Sequence, residues 1–409
     1  MKINSKSFSN RDILLLLLML SSMNFLGFGN YIMTYGLIIT IIISINYVYS
    51  IICRKTFLLL FLANLTYTVS LSIGQNKIDT TVLVTVLIMP ASAYLAGTAY
   101  MRSAEKQENK KQILFKAIIL SSISAGLFAF FTSRQKGSIT TTYSALYQLN
   151  QQRNSLSIWN GAPIGATALA MYMLPCILLL FFSFFCLKGF KRVTTVICGV
   201  LCIVASFSIA SRLNIFSAVI IVVISYVMAM KRNSGMNRMR ILAISGVLIF
   251  CIVIAFVGNL FGFRDMFFES VLIQRLSYYE GNVFSATGRL ETYSETWSQI
   301  IRNPFGGIID QSGVSSHNIF LQYAIGGGWL SVVLAVMFFV KIYKNIIMGI
   351  KRYAGNDVNY FVVPLLIGFV GMVMVEAPFL SNPLMYSVFI AYIAMIEEYY
   401  LGLKTADDY

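Results

Sequence analysis

The stretch H-N-I-F-L-Q-Y-A-I-G-G-G-W-L-S-V-V-L-A-V-M-F-F-V, residues 317–340, decides the fold class because it contains no Asp, Glu, Lys or Arg. A helix of about 20 apolar residues crosses the hydrocarbon core of a bilayer, which is about 30 Å thick. Similar runs recur along the whole chain of 409 residues, which is 57% hydrophobic and only 11% charged. Soluble domains carry about 25% charged residues. The sequence therefore predicts an all-α polytopic membrane protein.

The apolar runs predict about twelve transmembrane helices in a single integral membrane domain, residues 1–409. We expect these helices at residues 13–30, 31–52, 56–73, 80–101, 112–132, 163–187, 193–210, 213–230, 241–261, 317–340, 358–378 and 383–402. No internal repeat indicates two matching six-helix halves.

The net charge of +15 does not indicate nucleic-acid binding, because the basic residues punctuate the apolar runs instead of gathering on one domain. Most of the 31 Lys and Arg residues lie in connections on the same side as the two termini. Connections rich in Lys and Arg face the cytoplasm, so both termini are predicted to be cytoplasmic. Two long loops, 133–162 and 262–316, then face outward, and long loops are often functional.

The loop 262–316 contains an amphipathic pattern. Its apolar residues recur at helical spacing: Leu290, Tyr293, Trp297, Ile300 and Ile301. This pattern predicts an amphipathic helix along the membrane interface, with Trp297 at headgroup depth. Asn303-Pro304 should end the helix, and Gly306-Gly307 should turn the chain back.

His317 is the only histidine in the chain and stands where this loop meets the next apolar run. An imidazole titrates near pH 6.5 and can accept a proton at working pH, so His317 is a candidate general base. The alternative is a loop histidine at a helix start, with Ser315 or Ser316 as the N-cap.

Four further positions in outer segments are candidates for binding a diphosphate: Arg153, Arg212, Gly288 and Arg289. Guanidinium groups bind phosphate oxygens bidentately. Gly288 would add backbone N–H donors at a helix N-terminus. Each arginine has the alternative of a simple interfacial anchor.

No metal site or disulfide framework is expected. All six cysteines lie in or beside apolar runs, and Glu291 and Glu295, four residues apart, have no His or Asp-x-Asp partner. Glu376, late in the run 358–378, is taken as the acidic residue closest to the membrane interior. Such residues are costly and often functional, but Glu376 could equally pair with an arginine for structure.

Residues Gly288 to Gly328 read G-R-L-E-T-Y-S-E-T-W-S-Q-I-I-R-N-P-F-G-G, then S-S-H-N-I-F-L-Q-Y-A-I-G-G-G. This order resembles the signature of the O-antigen polymerase and O-antigen ligase superfamily: Gly-Arg before an amphipathic helix, an Asn-Pro-x-x-Gly turn, and His-Asn-x-x-Leu leading into a Gly-rich helix. Ser211-Arg212 resembles a second feature of that superfamily. Ala324 departs from the pattern where the family often carries an acidic residue.

The resemblance implies a GT-C-like membrane glycosyltransferase without a cofactor, in a bacterial inner membrane with its active site facing the periplasm. It implies that the glycan donor and the glycan acceptor are both linked to undecaprenyl diphosphate. Membrane lipids and a chain-length regulator protein are the other partners that it implies. The implied site has catalytic roles for His317, Arg289 and Arg212, and substrate binding by Arg153, Asn318, Gly288 and Glu376.

Three functions remain open. A polymerase of O-antigen or another surface polysaccharide is favoured, because the match is loose and the chain is dense in Ile, Phe, Tyr and Asn. A ligase that transfers the glycan to lipid A–core is the alternative within the superfamily. A flippase for lipid-linked oligosaccharides is the alternative from another class, and it should place ionisable residues within its helices and show two related halves.

Overall fold

The structure, a computed structural model, describes residues 10–43, 45–103, 107–135, 154–209, 211–232, 239, 254, 257–259, 263–268, 289–308, 318–375, 379 and 382–407. This part of the chain is mostly helical. Its helices are α1 (Asn10–Ser22), α2 (Gly29–Ile43), α3 (Ile45–Ile52), α4 (Lys55–Gly74), α5 (Thr80–Arg102), α6 (Gln107–Arg134), α7 (Ala166–Cys186), α8 (Gly189–Ser208), α9 (Arg212–Arg232), α10 (Phe263–Phe268), α11 (Arg289–Arg302), α12 (Ile319–Arg352), α13 (Asn359–Val375) and α14 (Pro383–Asp407). The segment Leu83–Ile88 of α5 is π-helical. Two strands, β1 (Asn154–Leu156) and β2 (Pro163–Gly165), pair antiparallel.

Six helices in the described ranges are long and apolar enough to cross a membrane. They are Lys55–Gly74, Thr80–Arg102, Lys110–Arg134, Gly189–Ser208, Ile319–Arg352 and Pro383–Leu403. Each coincides with a predicted span, so the class of all-α membrane protein is confirmed. Shorter apolar helices cover Ala166–Leu180, Leu213–Met228 and Asn359–Met374. The number of twelve spans stays a prediction, and most of the predicted span 241–261 lies outside the described residues.

The predicted span 13–30 is wrong as one continuous helix, because α1 ends at Ser22. Asn24 and Leu26 adopt left-handed backbone angles, with φ of 44° and 53°. The Asn24 Oδ1 atom accepts a hydrogen bond from the Gly29 amide at 3.0 Å, beside the first turn of α2. An Asn that bonds the backbone locally competes with helix formation. Hydropathy alone does not show this break.

The chain divides into two compact units. Unit 1 comprises Met1–Ala125, Gly288–Asn359 and Phe369–Tyr409, and unit 2 comprises Gly126–Thr287 and Tyr360–Gly368.

In unit 1, α14 is the most buried helix, with 94% of its apolar window inside the protein. Helix α4 packs along α12, where the Ser331 hydroxyl donates to the Ala63 carbonyl at 3.0 Å. The Tyr323 hydroxyl donates to Asn64 Oδ1 at 2.5 Å in the same interface. These bonds satisfy polar groups that water cannot reach in a bilayer core, so they hold α4 and α12 in a fixed register.

In unit 2, α7 packs against α8 and α9. Small residues make the contact close: a Cβ atom on Gly199 would lie 2.5 Å from Leu180. Asn214 Nδ2 donates to the buried Ser206 hydroxyl at 3.0 Å, which joins α8 to α9. Membrane helices associate through such small residues and buried hydrogen bonds.

Candidate functional site

The turn at residues 303–307 is bound to a break in α12. The Gly307 amide donates to the Gly326 carbonyl at 2.9 Å, and the Trp329 amide donates to the Pro304 carbonyl at 3.0 Å. Gly328 lies between these bonds with φ of 71°, outside the helical region. The Asn-Pro turn and the Gly-rich segment, which are separated in sequence, therefore form one backbone-bonded structure in unit 1.

Gly328 is required at this break for two reasons. Residues that carry a Cβ atom rarely adopt a positive φ such as this one. A Cβ atom there would also lie 2.5 Å from the carbonyl carbon of Phe305 and 2.6 Å from the Pro304 oxygen. Both neighbours are backbone atoms that cannot rotate away, so the close approach depends on glycine.

Helix α11 was predicted as an amphipathic helix, and a helix is present at Arg289–Arg302. Its Ile300 side chain is fully buried against Ala324 and Ile325 of α12. Trp297 packs edge-to-face on Trp329 with ring centroids 5.7 Å apart, and Trp297 stays half-exposed. One part of the apolar face of α11 thus packs on α12, and the rest is open to the surroundings.

Asn318 begins α12. Its Oδ1 atom accepts hydrogen bonds from the amides of Phe320 at 2.8 Å and Leu321 at 3.4 Å, which makes Asn318 the N-cap. The expectation that Ser315 or Ser316 caps this helix is therefore wrong. The Asn318 Nδ2 atom donates to the Met374 carbonyl of α13 at 3.3 Å. The predicted substrate-binding residue thus has a structural role at the helix start.

A cleft of about 570 Å³ lies between α11 and the start of α12. Its lining consists of Tyr293, Ser294, Trp297, Asn318, Phe320 and Leu321. The lining is mostly aromatic and aliphatic, with the Asn318 amide and the hydroxyl groups of Tyr293 and Ser294. Ser294 and Trp297 are exposed, so the cleft is open on the α11 side.

The turn lies at the C-terminal end of α4. Gly307 contacts Gly74, the last residue of α4, so closely that a Cβ atom on Gly74 would overlap the Gly307 carbonyl oxygen. The other end of α4 begins after Arg54. A helix of 20 residues is about 30 Å long, which is the thickness of a hydrocarbon core. The turn therefore lies about one membrane thickness from Arg54.

The structure describes only part of the predicted site. Arg289 is the first residue of α11, one helical turn before Tyr293, so the two positions share a helical face. Arg212 is the first residue of α9 in unit 2, and the preceding Ser211 hydroxyl accepts from the Asn214 amide at 3.3 Å. His317, Gly288, Arg153 and Glu376 lie outside the described residues. The convergence of Arg212, Arg289 and His317 stays a prediction.

An ionic cluster that sequence analysis missed lies at the other end of α4. Glu398 of α14 is 6% exposed and pairs with Arg54 at 2.6 Å and with Arg102 at 3.1 Å. The neighbouring Glu397 is 1% exposed and accepts from the Tyr94 hydroxyl at 2.5 Å and from Asn345 Nδ2 at 2.6 Å. This cluster joins α4, α5, α12 and α14.

The cluster bears on the flippase alternative. A flippase should place ionisable residues within its helices, and Glu397 and Glu398 are two such residues in α14. Burial lowers the pKa of Arg54, but the charge and hydrogen bond of Glu398 together with the charges of Tyr94 and Glu397 raise it by more, so the pKa lies above its usual value. The mean hydropathy of the segment does not reveal Glu397 and Glu398, because two carboxylates hardly change the average of a long apolar run.

Among the described residues, no group of three or more His, Cys, Asp or Glu side chains could hold a metal ion. The sequence matches no protein-family model, and none of the curated proteins compared with it matches. The resemblance to the O-antigen polymerase and ligase superfamily therefore rests on the motifs alone.

Proposed function

We propose that the protein is a membrane glycosyltransferase that polymerises O-antigen or another bacterial surface polysaccharide. It transfers the growing glycan from undecaprenyl diphosphate onto a carrier-linked repeat unit. One observation carries the proposal: the turn at 303–307 is hydrogen-bonded to the Gly-rich break of α12. Residues of α11 and of the start of α12 line a cleft, and Trp297 from that lining packs on Trp329 beside the break.

The position of the turn supports work at the outer face of a membrane. The turn lies beside Gly74, and the opposite end of α4 carries Arg54 and Lys55. Arg102 joins Arg54 at that end through Glu398. Basic residues concentrate on the cytoplasmic side of membrane proteins, so the end with Gly74 is the periplasmic one under this proposal.

The proposed reaction is a single displacement at the anomeric carbon of the donor. The oxygen of the acceptor hydroxyl attacks that carbon and gives up its proton to His317. The bond from the carbon to the phosphate oxygen breaks, and undecaprenyl diphosphate leaves with the electron pair. Arg289 and Arg212 stabilise the negative charge that grows on the diphosphate. The anomeric configuration inverts, and no metal ion takes part in the proposed step.

Two other functions compete with this proposal. A ligase would use the same donor chemistry and pass the glycan to lipid A–core. A flippase is favoured by one specific observation, the buried pair Glu397 and Glu398 within a candidate span, because intramembrane ionisable groups often mark transport pathways. Both carboxylates already have partners in the described structure, which favours a structural role for them.

Deletion of the gene in its host, followed by gel analysis of lipopolysaccharide, tests the proposal. A polymerase mutant should show a single repeat unit on the core and no ladder. Bare core with long polymer on its carrier would identify a ligase. Single units held on the inner leaflet would identify a flippase, and an unchanged ladder would refute all three functions for this polysaccharide.

A further inference from the structure

The described residues that line the cleft between α11 and α12 carry no charged side chain. Its walls offer the rings of Trp297 and Phe320 beside the Asn318 amide and the Ser294 hydroxyl. A sugar ring has a similar dual character, with C–H groups on its faces and hydroxyl groups on its rim. Aromatic faces carry partial negative charge and attract the weakly positive C–H groups.

We propose that this cleft binds the sugar ring that carries the attacking hydroxyl group. The inference rests on the proposed function. His317 directly precedes Asn318 in the sequence, and Asn318 forms part of the wall. A ring bound against Asn318 would therefore lie next to the residue that directly follows the proposed general base in the sequence. A volume of about 570 Å³ falls within the usual range for small-ligand sites, about 300–1,000 Å³.

The diphosphate of the carrier is a poor occupant of this cleft. The start of a helix attracts anions through its free N–H groups, but Asn318 Oδ1 already accepts from the Phe320 and Leu321 amides. Among the residues that the structure describes, no arginine or lysine belongs to the lining. The diphosphate is therefore assigned to Arg289 and Arg212, and the cleft is assigned to a neutral part of the substrate.

The isoprenoid chain of the carrier is the other neutral candidate. Ser294 on the wall is exposed on α11, and the Asn318 amide lies on the same lining. A hydrocarbon chain in the cleft would remove water from these polar groups without replacing its hydrogen bonds, which is costly. Sugar hydroxyls can donate to the same groups. The polar edge therefore favours the sugar.

The test measures binding to the purified full-length protein in lipid nanodiscs. One probe is polysaccharide from the host, freed of lipid with mild acid, and the second is farnesyl phosphate as an isoprenoid. Trp297→Leu should weaken polysaccharide binding about fivefold, since an aromatic contact contributes on the order of 1 kcal/mol beyond its buried area. Ser294→Trp should fill the mouth of the cleft and abolish polysaccharide binding. Because Ser294 is exposed, this variant should fold.

Phe305→Leu is the matched control, because Phe305 is 88% exposed on the turn and does not line the cleft. It should bind polysaccharide as the unaltered protein does, and farnesyl phosphate should bind equally to all variants. Unchanged polysaccharide binding in Ser294→Trp would overturn the inference. So would a block of farnesyl phosphate by Ser294→Trp, since that result would assign the cleft to the isoprenoid. The deletion experiment is independent, so a normal ladder there would refute the proposed function itself.

Discussion

The backbone amide of Trp329 donates to the carbonyl oxygen of Pro304 at 3.0 Å, across the break in α12. In an uninterrupted helix this amide would bond to the carbonyl of Ile325, four residues earlier. That carbonyl instead accepts from the Ile308 amide at 3.2 Å. The residues of the turn thus supply the hydrogen-bond partners that the break removes from the helix, and the helix supplies partners for the turn.

Gly328→Ala should unfold this junction. The strained backbone angle alone should cost about 1–3 kcal/mol, and overlap with the Phe305 backbone adds to that cost. Thermal unfolding of the purified protein in detergent measures the loss. Gly355→Ala is the control, because nothing lies within 4 Å of a Cβ atom there. Equal shifts in the unfolding temperature of the two variants would contradict the prediction.

Glu398→Ala should lower stability by about 3–5 kcal/mol, because it leaves two partly buried guanidinium groups without their counter-charge. The side chains of Arg54 and Glu398 are 18% and 8% exposed. The pair of Lys111 and Asp357 is 35% and 37% exposed, so Asp357→Ala should cost about 0–1 kcal/mol. The unfolding temperatures of the two variants measure this difference in stability. An equally small decrease in Glu398→Ala would show that the cluster contributes little to stability.

Asn318→Ala should cost about 1 kcal/mol through loss of the N-cap of α12. Asn318→Asp should retain most of the stability, because a carboxylate oxygen can accept from the Phe320 and Leu321 amides as Asn318 Oδ1 does. The same thermal measurement compares them. If both variants lost equal stability, the bond from Asn318 to the Met374 carbonyl would matter more than the cap.

Arg289→Ala and His317→Ala should each abolish long-chain polysaccharide in the deletion strain while the protein still inserts. Loss of one group that stabilises transition-state charge costs on the order of 3 kcal/mol, roughly a hundredfold in rate. Gel analysis shows chain length, and immunoblotting of membranes shows the amount of protein. Arg302→Ala is the control on the same helix, because Arg302 is exposed at its last turn. Normal ladders in the first two variants would reject the assigned roles.

Much of the fold could be predicted from hydropathy and local signals. The boundaries of α5 agree with the predicted span within one residue, since the polar Thr80 and the charged Arg102 mark its ends. The end of α11 before Asn303 followed from the Asn-Pro pair. The break at Asn24 could not be predicted, because it depends on a side-chain bond to Gly29.

The site was predicted less completely. Its motifs are local, so the sequence located α11, the turn and the start of α12. The contact between the turn and Gly328 depends on residues more than twenty positions apart, and no local pattern records such a pairing. The role of Asn318 as the cap depends on the conformation of one residue, its ψ of 129°, and Ser315 or Ser316 would have served equally by composition. To predict the cluster at Glu398, one would have to know which helix ends meet.

The π-helical segment Leu83–Ile88 in α5 has a consequence for evolutionary comparison. A wide turn of this kind holds one more residue than the α-helical turn it replaces, so it arises by insertion of a single residue. A relative without the wide turn would align with this chain only if a one-residue gap were opened inside a membrane helix. Alignments that forbid such gaps would assign the residues on one side of Leu83 to the wrong helical face.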